Sequence, residues 1–269
     1  MRSLAVKARN DRISRIVLPV ITGCLLLALW YWIKGHWNLH DFILPAPHDV
    51  LIAFASERET LFRATGVTFM GAMIGFIAAI SIGFAISLAM ASIRILRYSL
   101  YPFVIFMQMI PILAMAAIVV IFFDVGLQSV ALIAFLIGFF PVVASTLQGL
   151  MSVPEGQREM FRIYKASPWQ ELFLLRVPYS LPYFFTGAKI AATLAVIGSV
   201  TGEIFAGSTN RAGGLGFMIM IYKSELKISA IYAATLLCCL LGFCFVAVVL
   251  YFRQLALRKW HESSFPEQN

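Results

Sequence analysis

The chain has 269 residues, 61% hydrophobic and 13% charged, with a formal net charge of +8. Soluble domains run nearer half apolar and a quarter charged, so lipid is the solvent for most of this chain. The basic residues flank apolar blocks instead of forming a stripe with interleaved aromatics, which argues against a nucleic-acid surface.

A helix needs about 20 mostly apolar residues to cross a bilayer. Six blocks qualify: Ile16–Ile33, Ala64–Ala91, Leu100–Phe123, Val130–Leu150, Tyr183–Ala206 and Ile228–Phe252. The predicted fold is an all-α membrane protein with six transmembrane helices. Residues 1–15 form a basic cytoplasmic segment, 16–253 the transmembrane domain, and 254–269 a polar cytoplasmic tail. The first block follows Arg2, Lys7, Arg9, Arg12 and Arg15, and it ends in Trp30-Tyr31-Trp32 with no small-residue cleavage site. It reads as an uncleaved signal anchor that is also the first span.

The second block carries Gly71 and Gly75 at GxxxG spacing, a helix-packing signal that names no partner. Pro111 and Pro141 interrupt the third and fourth blocks, either as packing kinks or as bends at a transport gate. Met107, Gln108 and Met109 sit beside Pro111. Gln108 needs a hydrogen-bond partner or water at that depth, which makes it the better pathway candidate.

Charge sets the orientation. With a cytoplasmic start, the inside segments hold Arg2, Lys7, Arg9, Arg12, Arg15, Arg94, Arg97, Arg158, Arg162, Lys165, Arg176, Arg253, Arg258 and Lys259. The outside segments hold only Lys34, Arg58, Arg63, Arg211, Lys223 and Lys227, with Lys189 near the inner end of the fifth span. That bias puts both termini in the cytoplasm.

Between the fourth and fifth spans lies a polar loop, Met151–Pro182, too structured in its grammar for a tether. Ser152-Val153-Pro154-Glu155 reads as a capping box opening a helix that runs to about Lys165. Ser167-Pro168-Trp169-Gln170 repeats the signal, for a second helix ending near Arg176, before Pro178. Trp169, Leu172, Phe173 and Leu175 give that helix a mostly one-sided apolar surface.

The run Glu159-Met160-Phe161-Arg162-Ile163-Tyr164-Lys165-Ala166-Ser167-Pro168-Trp169, followed by Val177-Pro178-Tyr179-Ser180-Leu181-Pro182, resembles the "EAA" loop of permease subunits of binding-protein-dependent ABC importers. The likeness continues through Gly202-Glu203 to Gly214-Leu215-Gly216. Leu44-Pro45-Ala46-Pro47 looks like the outer segment of the nitrate, sulfonate and taurine branch. The run from Gly187 to Gly198 is most similar to permeases for pyrimidine-type vitamin precursors or riboflavin. Met160 and Phe161 replace the two alanines of the pattern, and Lys165 stands where it has Gly. If that site needs a left-handed backbone, Lys costs about 1 kcal/mol or more.

The resemblance implies a coupling loop that docks an ATPase through Glu159, Met160, Phe161, Tyr164, Lys165, Ala166, Ser167 and Trp169. It implies a second permease copy, two ATPase subunits that carry ATP and Mg, and a binding protein delivering a small polar or heterocyclic solute from outside. This chain would bind no cofactor. It has no Gly-Lys dipeptide, so no GxxxxGK[ST] phosphate loop, and its residues suggest no catalytic group.

Gln108, Pro111, Glu203, Gly214 and Gly216 are the pathway or gate candidates. Glu203 is the one acid deep in an apolar block. It could partner loop backbone or Arg211, or act at a gate. Arg211–Gly216 is either a plain turn or a surface that meets the binding protein. Cys24, Cys238, Cys239 and Cys244 lie in apolar blocks without a CxxC pair, so no metal site is expected. An ion-coupled secondary transporter is the alternative. That class tends toward inverted repeats and several membrane acids, and here there is no repeat and one acid.

Overall fold

The computed structural model describes residues 2–37, 40–206 and 213–257, with side chains from Val17 onward. Arg211 and the 258–269 tail lie outside these. Every regular element among the described residues is helical.

Helix α1 (Arg2–His36) contains the first predicted span and extends it at both ends. It meets the rest of the chain near its last turns, where Trp30 Nε1 donates to Pro45 O at 3.1 Å. The short α2 (Pro47–Ser56) went unpredicted, being half the length of a span. Pro47 opens it, and Asp49 Oδ2 accepts from Ala46 N at 3.0 Å.

Helices α3 (Arg58–Ser92) and α6 (Leu127–Met151) cross as expected. Small residues bring them close. A Cβ on Gly75 would lie 2.5 Å from Ala134 Cβ and 2.7 Å from Ala131 O, so the partner of the GxxxG pattern is α6. α6 runs unbroken through Pro141. The expected interruption there is not a break, since a neighbouring helix can shelter the freed backbone. Here α9 packs against the proline turn, where a Cβ on Gly187 would meet Pro141 O at 3.0 Å.

The third span is broken far more sharply than a kink. α4 (Arg94–Met107) and α5 (Ile112–Phe123) are bent by 102° across Gln108–Pro111. α3 ends at the loop-bearing end of the bundle, where Arg176 Nη1 donates to Ala91 O. α6 begins at the far end, where Val130 abuts Gly202. The bent pair therefore carries the chain from one end of the bundle to the other, and counted as one span it raises the candidate spans from five to six.

Two loop expectations need correction. Ser152 does not cap the first loop helix, α7 (Glu155–Ile163). Its hydroxyl donates to Gly149 O at 3.0 Å, finishing α6, and Pro154 takes the cap position. The second loop helix, α8 (Pro168–Glu171), does not stop before Pro178 either. A π-helical turn, Leu172–Arg176, leads it straight into α9 (Val177–Ala206), so the fifth span begins well before Tyr183. The wider turn changes the hydrogen-bond step just where Pro178 cannot donate.

Helix α10 (Leu215–Ser224) is too short to cross, and α11 (Ile228–Leu257) returns to the loop-bearing end. The core is the α3–α6–α9 seam, where Ala72, Ala134, Ala188, Ala191, Ala192 and Ala195 are buried and Phe76 and Phe245 close one side.

Candidate functional site

The loop is pinned together by an acid that sequence reading missed. Glu171 Oε1 accepts from Arg158 Nε at 3.0 Å, from Arg176 Nε at 2.9 Å and from Arg176 Nη2 at 2.6 Å. Arg158 sits on α7 and Arg176 on the π-helical turn, so one carboxylate joins both loop helices to the turn that leads into α9. Charge-assisted bonds of this kind hold geometry better than neutral ones.

The turn between α7 and α8 is equally defined. Lys165 has φ of 53°, with Lys165 N donating to Arg162 O at 2.9 Å and Ala166 N to Phe161 O at 3.0 Å. This is a Schellman stop, whose left-handed position suits Gly. Lysine there costs roughly 1 kcal/mol relative to Gly. The Ser167 box forms as read: Gln170 N donates to Ser167 Oγ at 3.2 Å, and Ser167 N to Gln170 Oε1 at 2.7 Å.

What the loop presents is apolar and exposed. Tyr164 and Ile163 are each 78% exposed, Trp169 67% and Met160 50%. Trp169 stacks on Phe173 with centroids 6.0 Å apart, while Leu172 turns into the core. Glu159 is exposed on α7, and Phe161 and Ala166 are half-buried.

At the far end, three candidates meet in one knot. Glu203 is 2% exposed. Its Oε2 accepts from Gly216 N at 2.8 Å and from Thr68 Oγ1 at 3.0 Å, and its Oε1 accepts from Ser199 Oγ at 3.3 Å. Thr68 Oγ1 in turn accepts from Leu215 N at 2.8 Å. The knot therefore joins α3, α9 and the first turn of α10. A Cβ on Gly214 would overlap the Glu203 carboxylate, and one on Gly216 would overlap Val200 O. Gly214 leaves room for the acid, and Gly216 lets the start of α10 approach the backbone of α9. Thr68 and Ser199 carried no sequence signal, since hydroxyls are ordinary in packed spans.

Gln108 and Pro111 form a separate group at the α4–α5 break, both exposed on the chain surface. Among the described residues, no hydrogen bond links the loop, the knot and the break.

The family model described as "binding-protein-dependent transport system inner membrane component" matches residues 71–260. The chain belongs to this family. A probable ABC transporter permease protein of Haemophilus influenzae is 28% identical over 230 residues, covering 86% of this chain and 92% of the relative. A riboflavin transport system permease protein of Chloroflexus aurantiacus is 33% identical over 219 residues, covering 81% and 80%. A bacterial alginate ABC transporter, solved in complex with an alginate-bound periplasmic protein, aligns with a TM-score of 0.59 over 95% of this chain and 99% of its own. At 14% identity, that likeness speaks for the fold alone. This inner membrane component is thus a multi-pass permease subunit of an ABC importer, and the ion-coupled reading is not favoured.

Proposed function

We propose that two copies of this permease enclose one translocation pathway, each loop held by an ATPase subunit in the cytoplasm. A binding protein delivers a small polar or heterocyclic solute at the far end. ATP and Mg bind on the ATPase subunits, and both termini of the permease face the cytoplasm, as the positive-inside bias requires.

The observation that carries this reading is a loop, pinned by Glu171, that leaves apolar side chains uncovered on the isolated chain. Met160, Ile163, Tyr164, Trp169 and Phe173 are exposed on helices fixed by Glu171 and two arginines. Several uncovered apolar side chains on one polar loop mark a protein contact. Cycling of the ATPases would move this handle and bias a two-state bundle.

The α4–α5 break supports the pathway assignment. It leaves Gln108 and irregular backbone on the chain's surface at span depth. Lipid cannot satisfy such groups, so that face lines water or meets protein. Glu203, Gly214 and Gly216 set the position of α10 at the delivery end. The solute class rests on the likeness to carriers of riboflavin and pyrimidine precursors.

Replacing Glu159 and Trp169 together with Ala should reduce recovery of an ATPase subunit with the purified permease by about tenfold. Undiminished recovery would remove the loop as its docking site.

A further inference from the structure

Lys189 lies deeper than its sequence position suggested. Two contacts fix its level. A Cβ on Gly187 would meet Pro141 O and Ser145 Cβ at 3.0 Å, and one on Gly138 would meet Ala191 Cβ at 3.4 Å. Lys189 falls between them, level with the middle of α6, which spans Leu127–Met151. Its side chain is exposed on the surface of the isolated chain. Thr186 and Thr193, three residues before and four after, share that face of α9 and are exposed too.

A lysine at the centre of a bilayer is costly facing lipid. Arg176, at the loop-bearing end of the same helical run, is 13 residues away, about 20 Å at 1.5 Å per residue. That is beyond the reach of a lysine stem. The face therefore meets water or protein.

A second copy of the chain cannot supply a counter-ion at this depth. Of the 13 acidic residues, only Glu203 falls inside an apolar block, and it is buried in its own knot. Across a twofold axis, Lys189 of one copy would be matched by a second lysine. Two cations in a water-filled pathway attract an anion.

We propose that Lys189 and Thr193 form a mid-pathway binding site for an anionic solute: a carboxylate, sulfonate, phosphate or acidic heterocycle. Lys189 supplies charge. Thr193 supplies a hydroxyl donor, since its side chain makes no hydrogen bond among the described residues. Thr186 gives its proton to Pro182 O at 2.9 Å, so it shapes the site without donating to the solute. The inference rests on the pathway reading above and narrows its solute class.

The test uses the assembled transporter with Cys24, Cys238, Cys239 and Cys244 changed to Ser and Thr193→Cys introduced. The probes are an anionic and a cationic methanethiosulfonate, each rate taken relative to a free thiol in water. The anionic reagent should be favoured by about tenfold, and adding Lys189→Gln should bring the ratio to within about twofold of unity. A T193C thiol that reacts with neither reagent, or a ratio that K189Q leaves unchanged, would overturn the site. ATPase recovery is read in the same preparations. A failed assembly reading then appears as missing ATPase, and a failed anion site as missing charge preference.

Discussion

Glu203→Leu should lower the stability of the permease by about 2–4 kcal/mol and abolish uptake, while Glu203→Gln should stay within about 1 kcal/mol of the parent. The difference follows from counting hydrogens. Thr68 and Ser199 each have a backbone fallback, Ala64 O at 3.2 Å and Thr68 O at 3.1 Å. Gly216 N has none among the described residues, because Glu203 Oε2 is its partner at 2.8 Å. Leucine fills the volume but leaves that buried N–H unpaired, at the point where α10 is pinned. A glutamine carbonyl accepts from Gly216 and Thr68 as the carboxylate does, and its amide can face Ser199. Thermal unfolding in lipid nanodiscs, paired with uptake, checks this. A glutamine variant as damaged as the leucine variant would mean that the charge matters and the hydrogen-bonding shape does not suffice.

Gly75→Leu should be worse, costing more than about 4 kcal/mol and preventing recovery of a monodisperse protein. The added Cβ would sit 2.5 Å from Ala134 Cβ, 2.7 Å from Ala131 O and 2.8 Å from Phe135 N. Two of these are backbone atoms of α6, so no side chain can swing away and the helices must part. Gly66 is the control on the same helix: a Cβ there meets nothing within 4 Å, and Gly66→Leu should be tolerated. Size-exclusion yield after solubilisation separates the two outcomes.

Much of this architecture could be read in advance, because length and apolarity alone decide which segments can cross a bilayer. Five spans and the loop follow from that. The third span shows the limit. Pro111 signals a weak point, but neighbouring packing decides between a kink and a 102° turn. α2 was missed because ten residues, Pro47–Ser56, are too few to span and carry no strong cap signal. In the loop, the Ser167 box was legible because Pro168 and Gln170 are close in sequence. Ser152 offered the same local pattern, yet its hydroxyl went to the helix behind it. The left-handed turn at Lys165 was foreseeable only as a clash between Lys and the family's Gly.

The far-end knot was half legible. Glu203, Gly214 and Gly216 each stood out by residue type, but nothing local ties them to Thr68, which lies 135 residues before Glu203. Lys189 illustrates the converse. Its type was plain, while its depth depended on the register of α9 against α6.

Docking of an ATPase by this loop is tested by what touches its tip. A photocrosslinking amino acid placed at Ile163, which is 78% exposed, reports that contact directly in native membranes. The account predicts one dominant adduct, with an ATPase subunit, whose yield changes when ATP is added. Adducts with lipid alone, or none that respond to nucleotide, would contradict it.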